Sequence, residues 1–326
     1  MPGVIDRYRD RLPVDASTPV VSLGEGSTPL LRAPRLSERL GVELYLKWEG
    51  ANPTGSFKDR GMTLAISKAL EAGVSTVICA STGNTAASAA AYAARAGLQA
   101  VVLQPQGAVA AAKVAQAGAL GARVVQVRGS FDDALASARV LADRGTHVLV
   151  NSLNPFRIEG QKTAAFEIVE DLGCAPDVLA LPYGGGGNIR AYARGFAEAD
   201  SSRPALVAGE ASERRTTLAS AIRISDPAHA EEAAEAVRAS GGRVVSLADE
   251  TILQAWRDLA REEGVLCEPS SAAGLAALVQ GGVESGARVV CVLTGHGLKD
   301  FEAAARESAA PLVVDADPDA IAEVAS

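Results

Sequence analysis

One lysine in this chain stands in an unusual frame. In NPTGSFKDRGM, residues 52–62, Lys58 lies between Phe57 and Asp59, with Gly55 just before and Gly61 just after. A free lysine amine titrates near pH ~10.4 and is ordinarily a solvated cation. Desolvated by glycines and apolar neighbours, it becomes a neutral nucleophile that can form an imine with a carbonyl and carry protons. The stretch alone does not separate that role from a loop charge. The remaining segments have to supply groups for such a lysine to work with.

Four of them do. STGNTAASAA, residues 81–90, opens a helix with Ser81, Thr82, Asn84 and Thr85. A helix N-terminus with free N–H groups attracts an anion. Capping would need only one Ser or Thr, so the surplus of polar residues points to a ligand. YGGGGN, residues 183–188, places Gly184, Gly185, Gly186, Gly187 and Asn188 before an apolar-periodic helix. Without Cβ atoms the backbone amides can close around a phosphate. The spacing is neither GxGxxG with its distant acid nor GxxxxGK[ST], so a nucleotide is a poor guess. NSLNPFRIEGQKT, residues 151–163, brings Asn151, Ser152 and Arg157. An amide, a hydroxyl and a guanidinium suit a phosphate or carboxylate. TGHGLKD, residues 294–300, offers Thr294, a neutral group that can donate or accept one hydrogen bond. His296 reads as a turn residue, because no Ser or Cys partner is evident.

Each of these stretches follows a short apolar run. Such runs recur at residues 43–48, 76–80, 99–104, 123–127, 147–150, 177–182, 205–209, 243–247 and 288–293. Helix-like stretches separate most of them, as at 85–98 and 130–145. The polar, Ala/Glu-rich segment 224–242 reads as a surface helix with loops. Strand–helix alternation predicts an α/β fold with parallel-rich sheets flanked by helices. Ligands in such folds gather beyond the C-terminal ends of the strands.

Composition narrows the function. Of 326 residues, 48% are hydrophobic, which argues against disorder. The formal charge of −8 comes without a basic tract, and aromatics are 4%, so nucleic acid is not an expected partner. The four cysteines form no CxxC pair and read as free thiols, and the three histidines have no metal-ligand spacing. There is no run of 18 apolar residues, and the N-terminus carries charges throughout, so no membrane and a cytoplasmic location are expected.

Taken together, NPTGSFKDRGM, CASTGNTAASAAAYAARAGL, NSLNPFRIEGQKTAAFEI, EEGVLCEPSSAAGLAAL and VLTGHGLKD resemble pyridoxal-phosphate enzymes of the tryptophan-synthase β-subunit fold, fold type II. Within that group the chain is most similar to the short-form bacterial threonine synthases, over nearly its whole length. The resemblance implies that Lys58 binds the cofactor covalently, beside Phe57. It implies that Asn84 sits by the cofactor's 3′-oxygen, that Gly184 to Asn188 hold its phosphate and that Thr294 faces its ring nitrogen. Ser81, Thr82, Thr85, Asn151, Ser152 and Arg157, helped by Lys113, would bind the substrate O-phospho-L-homoserine. γ-Elimination of phosphate and addition of water at Cβ would then give L-threonine. A smaller domain over 52–150 would carry the STGN helix, and a larger one over 1–51 and 151–326 the glycine loop and Thr294. The active site would lie between them, in a homodimer. Two features depart from the family: the loop reads GGGGN rather than Gly-Asn-Ala-Gly-Asn, and the segment after ALVAGE is short, a trimmed surface loop. A Ser/Thr dehydratase or a β/γ-replacement enzyme of the same fold is the alternative, and a silent binding protein a weaker one.

Overall fold

The computed structural model describes residues 2–107, 111–199 and 202–325. Among them ten strands run in order: β1 (Leu30–Arg32), β2 (Glu43–Trp48), β3 (Thr76–Ala80), β4 (Gln99–Pro105), β5 (Arg123–Val127), β6 (Val148–Leu149), β7 (Val178–Pro182), β8 (Ala205–Ala211), β9 (Arg243–Leu247) and β10 (Arg288–Leu293). They form a six-stranded sheet, β1-β2-β10-β7-β8-β9, and a four-stranded sheet, β5-β4-β3-β6. Every pairing is parallel except β1 with β2, where Leu30 lies opposite Lys47. Nine of the ten strands coincide with the apolar runs read from sequence. The exception, β1, is a three-residue antiparallel edge.

Helices cover both faces of each sheet, which is why parallel strands read as continuous Val/Ile/Leu runs. On one face of the small sheet, Ala86, Ala89, Ala90 and Ala93 of the helix Asn84–Ala96 pack with Met62, Ala65 and Ile66 of the helix Lys58–Glu71 over Val77 and Val102. On the other, Ile78, Ala80 and Leu103 meet Ala134 and Ala138 of the helix Phe131–Asp143. Ser130 and Asp133 start that helix with a reciprocal capping box. The segment read as a surface helix is the helix Ala230–Ala239 with the turn before it.

Two features set the position of Lys58. The first is a buried ion network around the next helical turn. Arg60 donates to Glu49 through Nε and Nη2, each at 2.7 Å, and to Glu167 through Nη1 at 2.7 Å and Nη2 at 2.6 Å. Lys47 Nζ lies 3.0 Å from Glu167. All four residues are at most 1% exposed. Two cations face two carboxylates, and Thr28 Oγ1 and the Ser27 N–H fill further valences. The second is a close helix crossing. A Cβ on Gly61 would stand 2.4 Å from Arg157 O, and one on Gly160 2.0 Å from Arg60 O. The helix Pro155–Gln161 therefore lies backbone to backbone on the helix Lys58–Glu71.

Candidate active site

Lys58 is the first residue of its helix, and its Nζ lies 4.3 Å from the Phe57 ring centroid. The turn ahead of it is pinned to the end of β10. Ser56 bridges Gly295, Phe57 N–H donates to Thr294 O at 3.0 Å, and His296 N–H donates to Gly55 O at 2.9 Å. Asp59 holds the other side, accepting from Thr54 N–H at 2.7 Å and from the Thr54 and Ser88 hydroxyls at 2.6 Å. Burial first, and then the nearby Arg157 charge, against the opposing pull of Glu268, lower the Lys58 amine to about 7. A large share of this lysine is thus neutral at physiological pH.

Thr294 directly follows β10, buried, with its Oγ1 2.9 Å from Ser271 Oγ. Asn84 opens its helix and donates from Nδ2 to Glu268 Oε2 at 2.6 Å, while its buried Oδ1 has no partner among the described residues. Glu268 is fully buried, and its own N–H donates to Gly295 O at 3.0 Å. Glu268 and Ser271 therefore lock Asn84 and Thr294 onto one frame. Both lie in EEGVLCEPSSAAGLAAL, yet no spacing rule singles them out.

The glycine loop leaves β7 and enters the helix Gly187–Glu198. Gly186 takes φ +83°, and a Cβ there would stand 2.6 Å from His229 O. Asn188 Nδ2 is buried without a partner among the described residues. The loop is braced from behind by Arg214, which donates to Gly184 O at 3.3 Å and Ile224 O at 3.2 Å, pairs with Glu210, and lies 4.7 Å from the Tyr183 ring centroid. The short segment after β8 is thus more than the trimmed surface loop expected, because it carries this brace.

Arg157 completes the arrangement. It is fully buried, donates one N–H to Val150 O at 2.7 Å, and has no partner for Nε or Nη2 among the described residues. Burial lowers it only to about 10, so it stays cationic. Two buried donors without an acceptor are costly and call for an anion. The other expected anion binders differ in what they have left to offer. Ser81 Oγ already accepts from the N–H groups of Gly83 at 3.1 Å and Ala86 at 3.2 Å, so it caps the helix, leaving only its hydroxyl proton. Asn151 spends its Oδ1 and one Nδ2 proton on the backbone of Ala80, at 2.9 and 2.8 Å. Thr82, Thr85 and Ser152 are part-exposed. The side chain of Lys113 lies outside the described residues. His296 accepts from Leu298 N–H at 3.1 Å, the turn role expected of it. Cys79, Cys267 and Cys291 are buried free thiols, and Cys174 is part-buried.

A partly neutral lysine amine, two amides with unpartnered atoms among the described residues and a glycine cradle at a helix N-terminus suit an aldehyde cofactor bearing a phosphate. The chain belongs to the family of pyridoxal-phosphate dependent enzymes, whose model matches residues 21–295. Among individual proteins it is similar to the threonine synthase of Synechocystis sp., with 51% identity over 97% of this chain and 88% of that protein. It is also similar to the threonine synthase of Mycobacterium leprae, with 52% identity over 97% of this chain and 94% of that protein. The solved O-ureido-L-serine synthase superposes with a TM-score of 0.77 at 21% identity, over 96% of this chain and all of that one, and shows the shared fold. Threonine deaminase isoform 2 of Solanum lycopersicum superposes at 0.72 with 26% identity, over 82% of this chain and 79% of that one. The fold is that of the type II pyridoxal-phosphate enzymes.

The lowered Lys58 amine makes a prediction. Capture of pyridoxal phosphate by the apoprotein, followed by absorbance, should speed up as pH rises through about 7 and level off above it. A rate still climbing near pH ~10 would mean that the amine is an ordinary solvated one.

Proposed function

We propose that the protein is a threonine synthase, converting O-phospho-L-homoserine and water to L-threonine and inorganic phosphate. The observation that carries this reading is the pair of buried N–H donors on Arg157 that have no partner among the described residues, near the Lys58 amine. A phosphate on the substrate's γ-carbon would satisfy both, with Thr82, Thr85, Ser152 and the spare protons of Asn151 and Ser81 around it. Serine and threonine, the substrates of a dehydratase, bear no such group.

Pyridoxal phosphate, when bound, supplies an electron sink for carbanions at the substrate. The chain's residues do the rest. Gly184 to Asn188 and the helix N-terminus behind them would hold the cofactor phosphate. Asn84 would face its 3′-oxygen, and Thr294, steadied by Ser271, would offer its ring nitrogen a neutral partner. Lys58, neutral for a large share of the time at pH 7, would move protons among Cα, Cβ and Cγ of the substrate. Arg157 would stabilise the charge on the departing phosphate, where a buried cation acts most strongly. We place the site between a smaller domain over 52–150 and a larger one over 1–51 and 151–326, whose closure would exclude water until it is needed. Among the described residues no helix is long and apolar enough to cross a membrane. We extend the proposal to a cytoplasmic homodimer, which a solution mass measurement tests.

The deciding experiment is a substrate panel of O-phosphohomoserine, threonine, serine and O-acetylhomoserine. Equal yields of phosphate and threonine from the first are expected; turnover of serine or threonine alone would favour the dehydratase. Arg157→Ala should raise KM for O-phosphohomoserine roughly 30- to 150-fold, the cost of losing a charge-assisted contact of about 2–3 kcal/mol. An unchanged KM would remove Arg157 from the site.

A further inference from the structure

We propose that His229 is a positioning residue that ties the glycine loop to Ser152, setting the substrate's anion site against the cofactor's. The inference rests on the reading that places Ser152 at the substrate phosphate. His229 is buried, only 4% exposed, just ahead of the helix Ala230–Ala239. Its backbone grips the glycine loop. Its N–H donates to Gly185 O at 3.1 Å, and its carbonyl closes on Gly186 so tightly that a Cβ there would be 2.6 Å away. Its ring edge lies against Gly187, the first residue of the following helix, where a Cβ would meet Cδ2 at 3.5 Å.

The ring then reaches across to the other anion site. His229 Nε2 lies 3.0 Å from Ser152 O. A carbonyl oxygen only accepts, so Nε2 carries the proton in this contact. Nδ1 faces Arg190 Nη1, a donor, at 3.5 Å. The Glu232 carboxylate, 3.6 Å from Nδ1, has Arg190 Nη1 as its own partner at 3.5 Å. One residue thus fixes the loop through its backbone and the Ser152 peptide through its side chain. Ser152 is otherwise part-exposed, and the bond from His229 holds the peptide from which its side chain projects.

Two substitutions isolate the Nε2 proton. His229→Phe keeps the bulk and the backbone grip but cannot donate. His229→Gln replaces the donor with an amide N–H. The probe is inorganic phosphate, titrated by calorimetry into enzyme saturated with pyridoxal phosphate, alongside KM for O-phosphohomoserine. His229→Phe should weaken phosphate and raise KM about ten-fold each, the effect of one hydrogen bond, with cofactor absorbance retained. His229→Gln should stay within about two-fold of the wild type. Phosphate binding unchanged in His229→Phe, or equally weak in both variants, overturns the proposal. Should His229→Phe fail to fold, His229→Leu, which also cannot donate, takes its place and is compared with His229→Gln on the same terms. If the wild type does not turn over O-phosphohomoserine but phosphate still binds and weakens in His229→Phe, the threonine synthase reading falls and the role of His229 stands.

Discussion

Lys58→Ala is expected to abolish turnover, by about 10⁴-fold or more, while leaving the protein folded. A single positioned acid or base is worth about 10²–10⁴-fold, and Lys58 is assigned several proton transfers in one cycle. No group in the described site duplicates it. Arg157 stays protonated, and the Glu268 carboxylate is already engaged with Asn84. The variant should also lose the long-wavelength absorbance of covalently held cofactor, although the glycine loop can still retain pyridoxal phosphate non-covalently. Phosphate release and threonine formation give the rate, and far-UV circular dichroism checks the fold. A variant within ten-fold of the wild type would move the chemistry to another group.

Arg60→Ala is expected to cost roughly 3–5 kcal/mol of stability, the typical effect of removing one partner from a buried ion pair. That is a large part of the ~5–15 kcal/mol that holds a domain folded. The guanidinium contacts both Glu49 and Glu167; without it, among the described residues Glu49 keeps only neutral donors, and Glu167 keeps Lys47 and the Ser27 N–H. Burial alone would raise the Glu167 carboxyl, but Arg60 and Lys47 overcome it and hold the group well below the usual carboxylate range. A glutamate in the unfolded chain titrates near ~4.3. The stabilisation from Glu167 is therefore present above that pH and is lost only as pH falls through the lower native value. Urea unfolding of Arg60→Ala at neutral pH measures the cost. A loss under about 1 kcal/mol would mean that water replaces the guanidinium, as it does at a surface pair.

Much of the scaffold could be read from the chain because parallel strands announce themselves. Runs such as TVICA and RVVCVL are apolar on both faces, and the turns after them hold the polar residues that face the site. β1 escaped notice because three residues at an edge carry no period. Lys58, Asn84, the glycine loop and Thr294 stand out as candidates for the same reason, since each sits one step beyond a strand or opens a helix. What stayed hidden was assembled from distant positions. Lys47, Glu49, Arg60 and Glu167 share no spacing, and their pairing exists only once β2 and the two helices meet. Glu268, Ser271 and His229 sit in stretches where ordinary polar residues would look the same. Ser81 and Asn151 were read as ligand residues by type, whereas local backbone N–H and C=O groups claim most of their hydrogen bonds.

The contact of Gly61 with Gly160 has a consequence for substrate choice. Because the two backbones touch, the helix that carries Arg157 packs directly on the helix that Lys58 opens. The gap from reacting amine to anion receptor would then be set by that crossing, a gauge cut into the protein independently of the glycine loop. A substrate one carbon shorter would bring its phosphate up short of the guanidinium, and one carbon longer would overshoot it. Selectivity for a γ-phosphate would be measured out by two missing methyl groups, well before any side chain touches the ligand.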